Sequence, residues 1–90
     1  MDEFLDSLSE RDRGLVKAKL FYLQERGSQL REPHSKSLGE GLLELRVGAY
    51  RFFYCFRPGS RIVLLHAFTK KSQATPRREL ALARKRMQEV

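Results

Sequence analysis

Apolar positions along the chain follow two periods in turn. Val16, Leu20 and Leu23 recur at i, i+4 and i+7 with Leu15 and Phe21 beside them, which predicts a helix closed by Gly27. Ahead of it, Phe4, Leu5 and Leu8 predict a short helical turn capped by Asp2. Ser9 followed by Asp12 resembles a capping box that starts the longer helix. From Ser28 to Glu40, Pro33, His34, Ser35, Ser37 and Gly39 sustain neither period, so a loop is expected there.

Beyond that point the period becomes two. In "LLELRV" (42–47), Leu43, Leu45 and Val47 fall on one face and Glu44 and Arg46 on the other. "YRFFYCFR" (50–57) is aromatic on both faces, as suits a central strand, and Gly48-Ala49 supplies a tight connection to the strand before it. "RIVLLHAF" (61–68) follows the turn sequence Pro58-Gly59-Ser60. These three runs predict an antiparallel meander. Thr75 is expected to cap a last helix with Pro76 in its first position, Glu79 in its first turn and Leu80, Ala83 and Met87 as its buried stripe. The expected architecture is α+β: an N-terminal helical hairpin, an antiparallel sheet of three or more strands and a C-terminal helix. Helices cover one sheet face and leave a polar face open. Residues 1–90 suffice for one domain.

Charge sharpens this picture. Residues 1–26 carry five bases and six acids, whereas residues 27–90 carry thirteen bases and five acids, so the net +7 divides into −1 and +8. A basic surface on one part of a small domain favours polyanions, nucleic acid above all. Cys55 has no partner for a disulfide or a cysteine-based zinc site, and no run approaches the roughly 20 apolar residues that span a bilayer. With acidic residues following Met1 instead of a signal sequence, a cytoplasmic protein without a membrane partner is expected.

The sequence lacks a phosphate-binding glycine loop, a histidine pair at metal-ligand spacing and a nucleophile elbow, so neither metal nor cofactor is expected. What remains is Arg46, Tyr50, Arg51, Tyr54, His66, Lys70, Lys71, Gln73 and Thr75. Such a set can cleave RNA without a metal, because the ribose 2′-hydroxyl is a built-in nucleophile. The protein needs only to align it, move protons and neutralise the phosphorane. Arginine forks suit phosphate; crowded cations would push a lysine at 70 or 71 towards a usable proton carrier. Structural roles stand beside these. His66 lies within "VLLHAF" and reads equally as a hydrogen-bonded strand residue, Tyr50 and Tyr54 as core residues with wet tips, and Arg77, Arg78, Arg84, Lys85 and Arg86 as a solvated helix face.

The ordered series "L-x-E-L-R", "Y-R-x-x-Y", "LLH-x-F-x-KK-x-Q-x-TP" and "E-L-x-x-A-x-x-R" between residues 41 and 86 resembles phage-derived, HigB-like toxins of the RelE/ParE superfamily. The resemblance implies a type II toxin that cuts messenger RNA on the ribosome, neutralised by a cognate helix-turn-helix antitoxin. A homodimer and a toxin–antitoxin heterotetramer are both open. Carried over, it implies that Arg46 and Arg51 hold the scissile phosphate and that Lys70, Lys71 and Gln73 match the basic segment opening the final helix; with the residue reading above, the expected catalytic set is Arg46, Arg51, Lys70, Lys71, Gln73 and His66, with Tyr54, Thr75, Arg77, Arg78 and Lys85 binding RNA. Relatives carry a strand ahead of the helical hairpin, and a RelE-like fold lacking that strand is expected because this chain begins "MDEFLDSL". A non-catalytic RNA- or partner-binding member and a ParE-like gyrase inhibitor are the alternatives.

Overall fold

The 3.6-residue period becomes helix where it is punctuated. In the computed structural model, which describes residues 2–71 and 74–90, α1 (Asp2–Asp6) leads into α2 (Glu10–Arg26). Ser9 caps α2, its hydroxyl accepting the Asp12 backbone N–H at 3.1 Å. Gly27 ends the helix at φ 56° and donates its N–H to the Leu23 carbonyl; a 3-10 turn (Gly27–Gln29) follows. The Asp2 side chain, expected to cap α1, lies outside the described residues.

Four strands form one antiparallel sheet in the order β1 (Ser35–Gly39), β2 (Leu42–Val47), β3 (Tyr50–Arg57) and β4 (Arg61–Thr69). The last three match the sequence expectation to within one residue. β1 corrects it, because a loop is expected from 28 to 40. Its pattern of Ser35, Lys36 and Ser37 is polar, yet these residues pair with Leu45, Glu44 and Leu43, so the ladder is specified by the partner strand. An edge strand tolerates solvated side chains. Ser35 is nevertheless buried, hydrogen-bonded to the Tyr54 hydroxyl at 2.6 Å.

A second correction concerns the sheet faces, because helices cover both. Val16, Leu23 and Leu30 pack on Leu45, Val47, Phe52 and Tyr54, with Phe4 edge-on to Phe52 at 5.6 Å. On the opposite face α3 (Arg77–Glu89) sets Ala83, Leu80 and Met87 against Leu42, Phe53, Cys55, Leu65 and Phe68. β3 is aromatic on both sides, and its buried Phe53 requires that second cover. Three arginines tie α3 down through carbonyls. Arg57 donates to Met87 at 2.5 Å and Val90 at 3.3 Å, Arg84 to Leu38 at 3.0 Å and Arg86 to Leu65 at 2.9 Å. Thr75 is not the cap of α3. Pro76 is extended at ψ 135° and its carbonyl accepts the Leu80 N–H, so the helix starts at Arg77. Among the described residues, no helix is long and apolar enough to cross a membrane.

Candidate functional site

The β2–β3 hairpin builds the centre of the site. Gly48, at φ 58°, allows a two-residue turn in which Val47 faces Tyr50, and the next pair out is Arg46 facing Arg51. Like charges directly opposite one another repel. Here a carboxylate offsets that repulsion: Glu44, two residues before Arg46 on the same face, is 1% exposed. Its Oε1 lies 3.2 Å from Arg46 Nε and 3.9 Å from Arg51 Nε. Glu32 meets Arg46 from the solvent side at 3.5 Å.

Glu44 is the member of this cluster that reasoning from the sequence did not single out. The signal was available, because period-two alternation puts Glu44 and Arg46 on one face and the Gly48-Ala49 turn fixes Arg51 opposite Arg46. The hairpin itself also holds Arg51, which donates from Nη1 to the Gly48 carbonyl at 2.7 Å and the Tyr50 carbonyl at 3.0 Å. Arg46 remains 28% exposed and Arg51 15%, so the pair is braced but reachable from solvent. Among the described residues, Glu44 Oε2 and Arg51 Nε are buried without a hydrogen-bond partner.

The basic junction enters at the same end of the sheet. Thr69 pairs with Tyr50, and the next residue, Lys70, donates its backbone N–H to the Ala49 carbonyl at 2.7 Å. The chain therefore leaves β4 beside the hairpin that carries Arg51. Lys71, Arg77, Arg78 and Lys85 are exposed, and Thr75 is half-buried. Gln73, with Ser72, lies outside the described residues.

Two expected site residues are engaged within the fold. Tyr54, expected to bind RNA, is 1% exposed on the α2-covered face and offers no surface to a base. Burial raises its phenol pKa above the usual tyrosine range, with the Ser35 hydrogen bond acting against it. His66, expected to be catalytic, has both ring nitrogens engaged by α3. Nε2 meets Glu79 at 2.7 Å and Nδ1 meets Arg86 Nη1 at 3.4 Å. Arg86 can only donate, so in this arrangement Nδ1 accepts from it and Nε2 faces Glu79, and the ring clasps the helix to β4. Tyr50 follows its core-with-wet-tip reading: its hydroxyl donates to Asp12 at 2.6 Å, and that bond, aided by burial, raises its pKa.

The site can thus present a braced pair of guanidiniums and neighbouring lysines to a phosphodiester. Among the described residues, no group of three or more His, Cys, Asp or Glu is arranged to hold a metal ion. Residues 3–88 match the family model described as "Phage derived protein Gp49-like (DUF891)". No curated protein matches the chain.

Proposed function

The chain belongs to the Gp49-like phage-derived family, a toxin-like family of RelE/HigB type, and from that premise we propose that it is the toxin of a type II toxin–antitoxin system acting as a ribosome-dependent, metal-independent mRNA endoribonuclease. The observation that carries the proposal is the Arg46–Arg51 pair braced by buried Glu44 at the sheet end where Lys70 emerges. Two guanidiniums held side by side match a phosphate and later the dianionic phosphorane, and bracing them beforehand avoids reorganisation during the reaction.

The chemistry is an in-line transesterification. The ribose 2′-oxygen forms a bond to the adjacent phosphorus as the bond to the 5′-oxygen breaks. The 2′-hydroxyl proton leaves to a base and the departing 5′-oxygen gains a proton, yielding a 2′,3′-cyclic phosphate and a 5′-hydroxyl end. Arg46 and Arg51 hold the phosphate in this scheme; Lys70, Lys71 and Gln73 stabilise the phosphorane and the leaving oxygen. Glu44 is a positioning residue, and His66 acts only through its hold on α3. Exposed Arg77, Arg78 and Lys85 add general attraction to ribosome-bound RNA. A helix-turn-helix antitoxin would neutralise the toxin.

Induction in cells, with transcript 5′ ends mapped in the presence of ribosomes, tests the proposal. Growth arrest with new 5′-hydroxyl ends is expected, and both should be lost in Arg51→Ala and Lys71→Ala. A folded wild type that arrests nothing and cuts nothing would sink it. One observation favours a second reading: Glu44 and Glu32 both neutralise Arg46, which suits a member that binds RNA or a partner without cleaving. Binding with a steep salt dependence and unchanged transcripts would support that alternative.

A further inference from the structure

Helix α2 buries one line of residues and leaves the opposite line bare. Val16, Leu20 and Leu23 pack towards the sheet, and the line half a turn away runs Arg11, Gly14, Ala18, Phe21 and Glu25, all exposed. Its 3-4-3-4 spacing is the one along which two helices meet in a seam. Three large apolar side chains stand exposed among the described residues, and two are here: Phe21 in the line at 62% and Leu15 beside it at 53%. The chain itself does not require Gly14. A Cβ there would meet nothing within 4 Å, and glycine is unfavourable inside a helix.

We propose that this face joins two copies of the chain, α2 against α2, antiparallel about a two-fold axis at Ala18. The charges name the occupant. Arg11 and Glu25 stand at equal distance either side of Ala18, and neither is in an ion pair among the described residues. About the axis, Arg11 of each copy faces Glu25 of the other, Leu15 faces Phe21, and Gly14 leaves room for the Tyr22 ring. A parallel pairing would set Arg11 on Arg11 and Glu25 on Glu25, so side-chain charge and helix dipole both select the antiparallel one. From Arg11 to Glu25 the seam is about 21 Å long and about 10 Å wide. It buries on the order of 1,000 Å² in total, below the roughly 1,200–2,000 Å² of tight complexes, so a Kd of about 10–100 μM is expected. Arg46 and Arg51 lie on the sheet face away from α2 and stay open in the dimer, so the inference does not depend on the RNA reading.

Sedimentation equilibrium of the full chain from about 5 μM to about 1 mM tests this, with amide NMR shifts on dilution locating the contact. The average mass should rise from the 10.5 kDa of one chain towards twice that, and the amides of Gly14, Ala18, Phe21 and Glu25 should shift together. Glu25→Arg should weaken the dimer at least about fivefold, Arg11→Glu likewise, and the double reversal should restore it to within about twofold. Gly14→Leu favours the helix and adds apolar surface, yet it should abolish the dimer by holding the two helices apart. A monomer at about 1 mM, a double reversal no tighter than the single ones, or tighter association with Gly14→Leu would each overturn the inference. Failure of transcript cleavage would leave the dimer result standing.

Discussion

Removing the charge of Glu44 while keeping its shape, in Glu44→Gln, should cost stability far beyond a surface substitution. The carboxylate sits 3.2 Å from Arg46 Nε and 3.9 Å from Arg51 Nε, and its side chain is 2% exposed. At an effective dielectric of about 20 each pair is worth about 4 kcal/mol of gross attraction, and the opposed arginines then repel with only Glu32, on the solvent side of Arg46, to offset them. Desolvation of the carboxylate and the partial exposure of Arg46 take back much of that sum. Losing one partner of a buried pair typically costs about 3–5 kcal/mol, and the lower end, about 3 kcal/mol, fits here. That is a large part of the roughly 5–15 kcal/mol available to a small domain.

Urea unfolding followed by circular dichroism measures the loss. With a slope of about 1–1.5 kcal/mol/M, the midpoint should fall by about 2–3 M without a change in slope. A double-mutant cycle with Arg46→Gln should give a coupling above about 1 kcal/mol, since removing the cation relieves what removing the anion exposes. Replacing all three groups together, with Glu44→Leu, Arg46→Leu and Arg51→Met, should recover most of the stability and none of the RNA cleavage. A midpoint shift below about 0.3 M, or strict additivity with Arg46→Gln, would refute the claim that Glu44 braces the pair.

Phe53→Ala should destabilise the protein by about 3–5 kcal/mol in the same assay, because the ring is fully buried between β3 and α3 and the cavity cannot collapse onto a small neighbour. His66→Gln should cost about 1–2 kcal/mol and raise amide exchange in α3, as the bonds to Glu79 and Arg86 loosen, while RNA affinity at the hairpin is retained. Tyr50 and Tyr54 are both held above the usual tyrosine pKa of 10.0, so the folded state keeps its phenolic protons longer than the unfolded chain. Their contribution is complete below that value and is lost as pH rises through the higher folded pKa values, and Tyr50→Phe should make the alkaline decline in stability shallower.

The strands were legible because each carries its own instruction. β2 alternates, β3 is aromatic on both sides, and Gly48-Ala49 and Pro58-Gly59-Ser60 mark the turns. β1 was not, because Ser35, Lys36 and Ser37 contribute backbone to a ladder whose register is written in β2. The covering of both faces was implicit in Phe53 and Cys55, buried opposite Phe52 and Tyr54, but which helix covers which face depends on how the segment after β4 turns back. At the site, Arg46 and Arg51 stood out as cations within strands, whereas Glu44 read as one more outward polar residue until the hairpin register brought both guanidiniums to it. His66 illustrates the converse. Its sequence context fits a catalyst or a clasp, and its contacts with Glu79 and Arg86 arise only when α3 packs back on the sheet.

The central claim is that guanidiniums on the β2–β3 hairpin and lysines at the β4 exit grip one phosphodiester for cleavage. The most direct measurement incubates purified wild type and Arg51→Ala with programmed ribosomes and maps the messenger's 5′ ends and their chemistry. New 5′-hydroxyl ends paired with cyclic phosphates, appearing with wild type and falling by at least about a hundredfold with a folded Arg51→Ala, is the predicted result, in line with the loss of one transition-state donor. Equal cleavage by both proteins, or an intact messenger with a folded wild type bound to the ribosome, would contradict it.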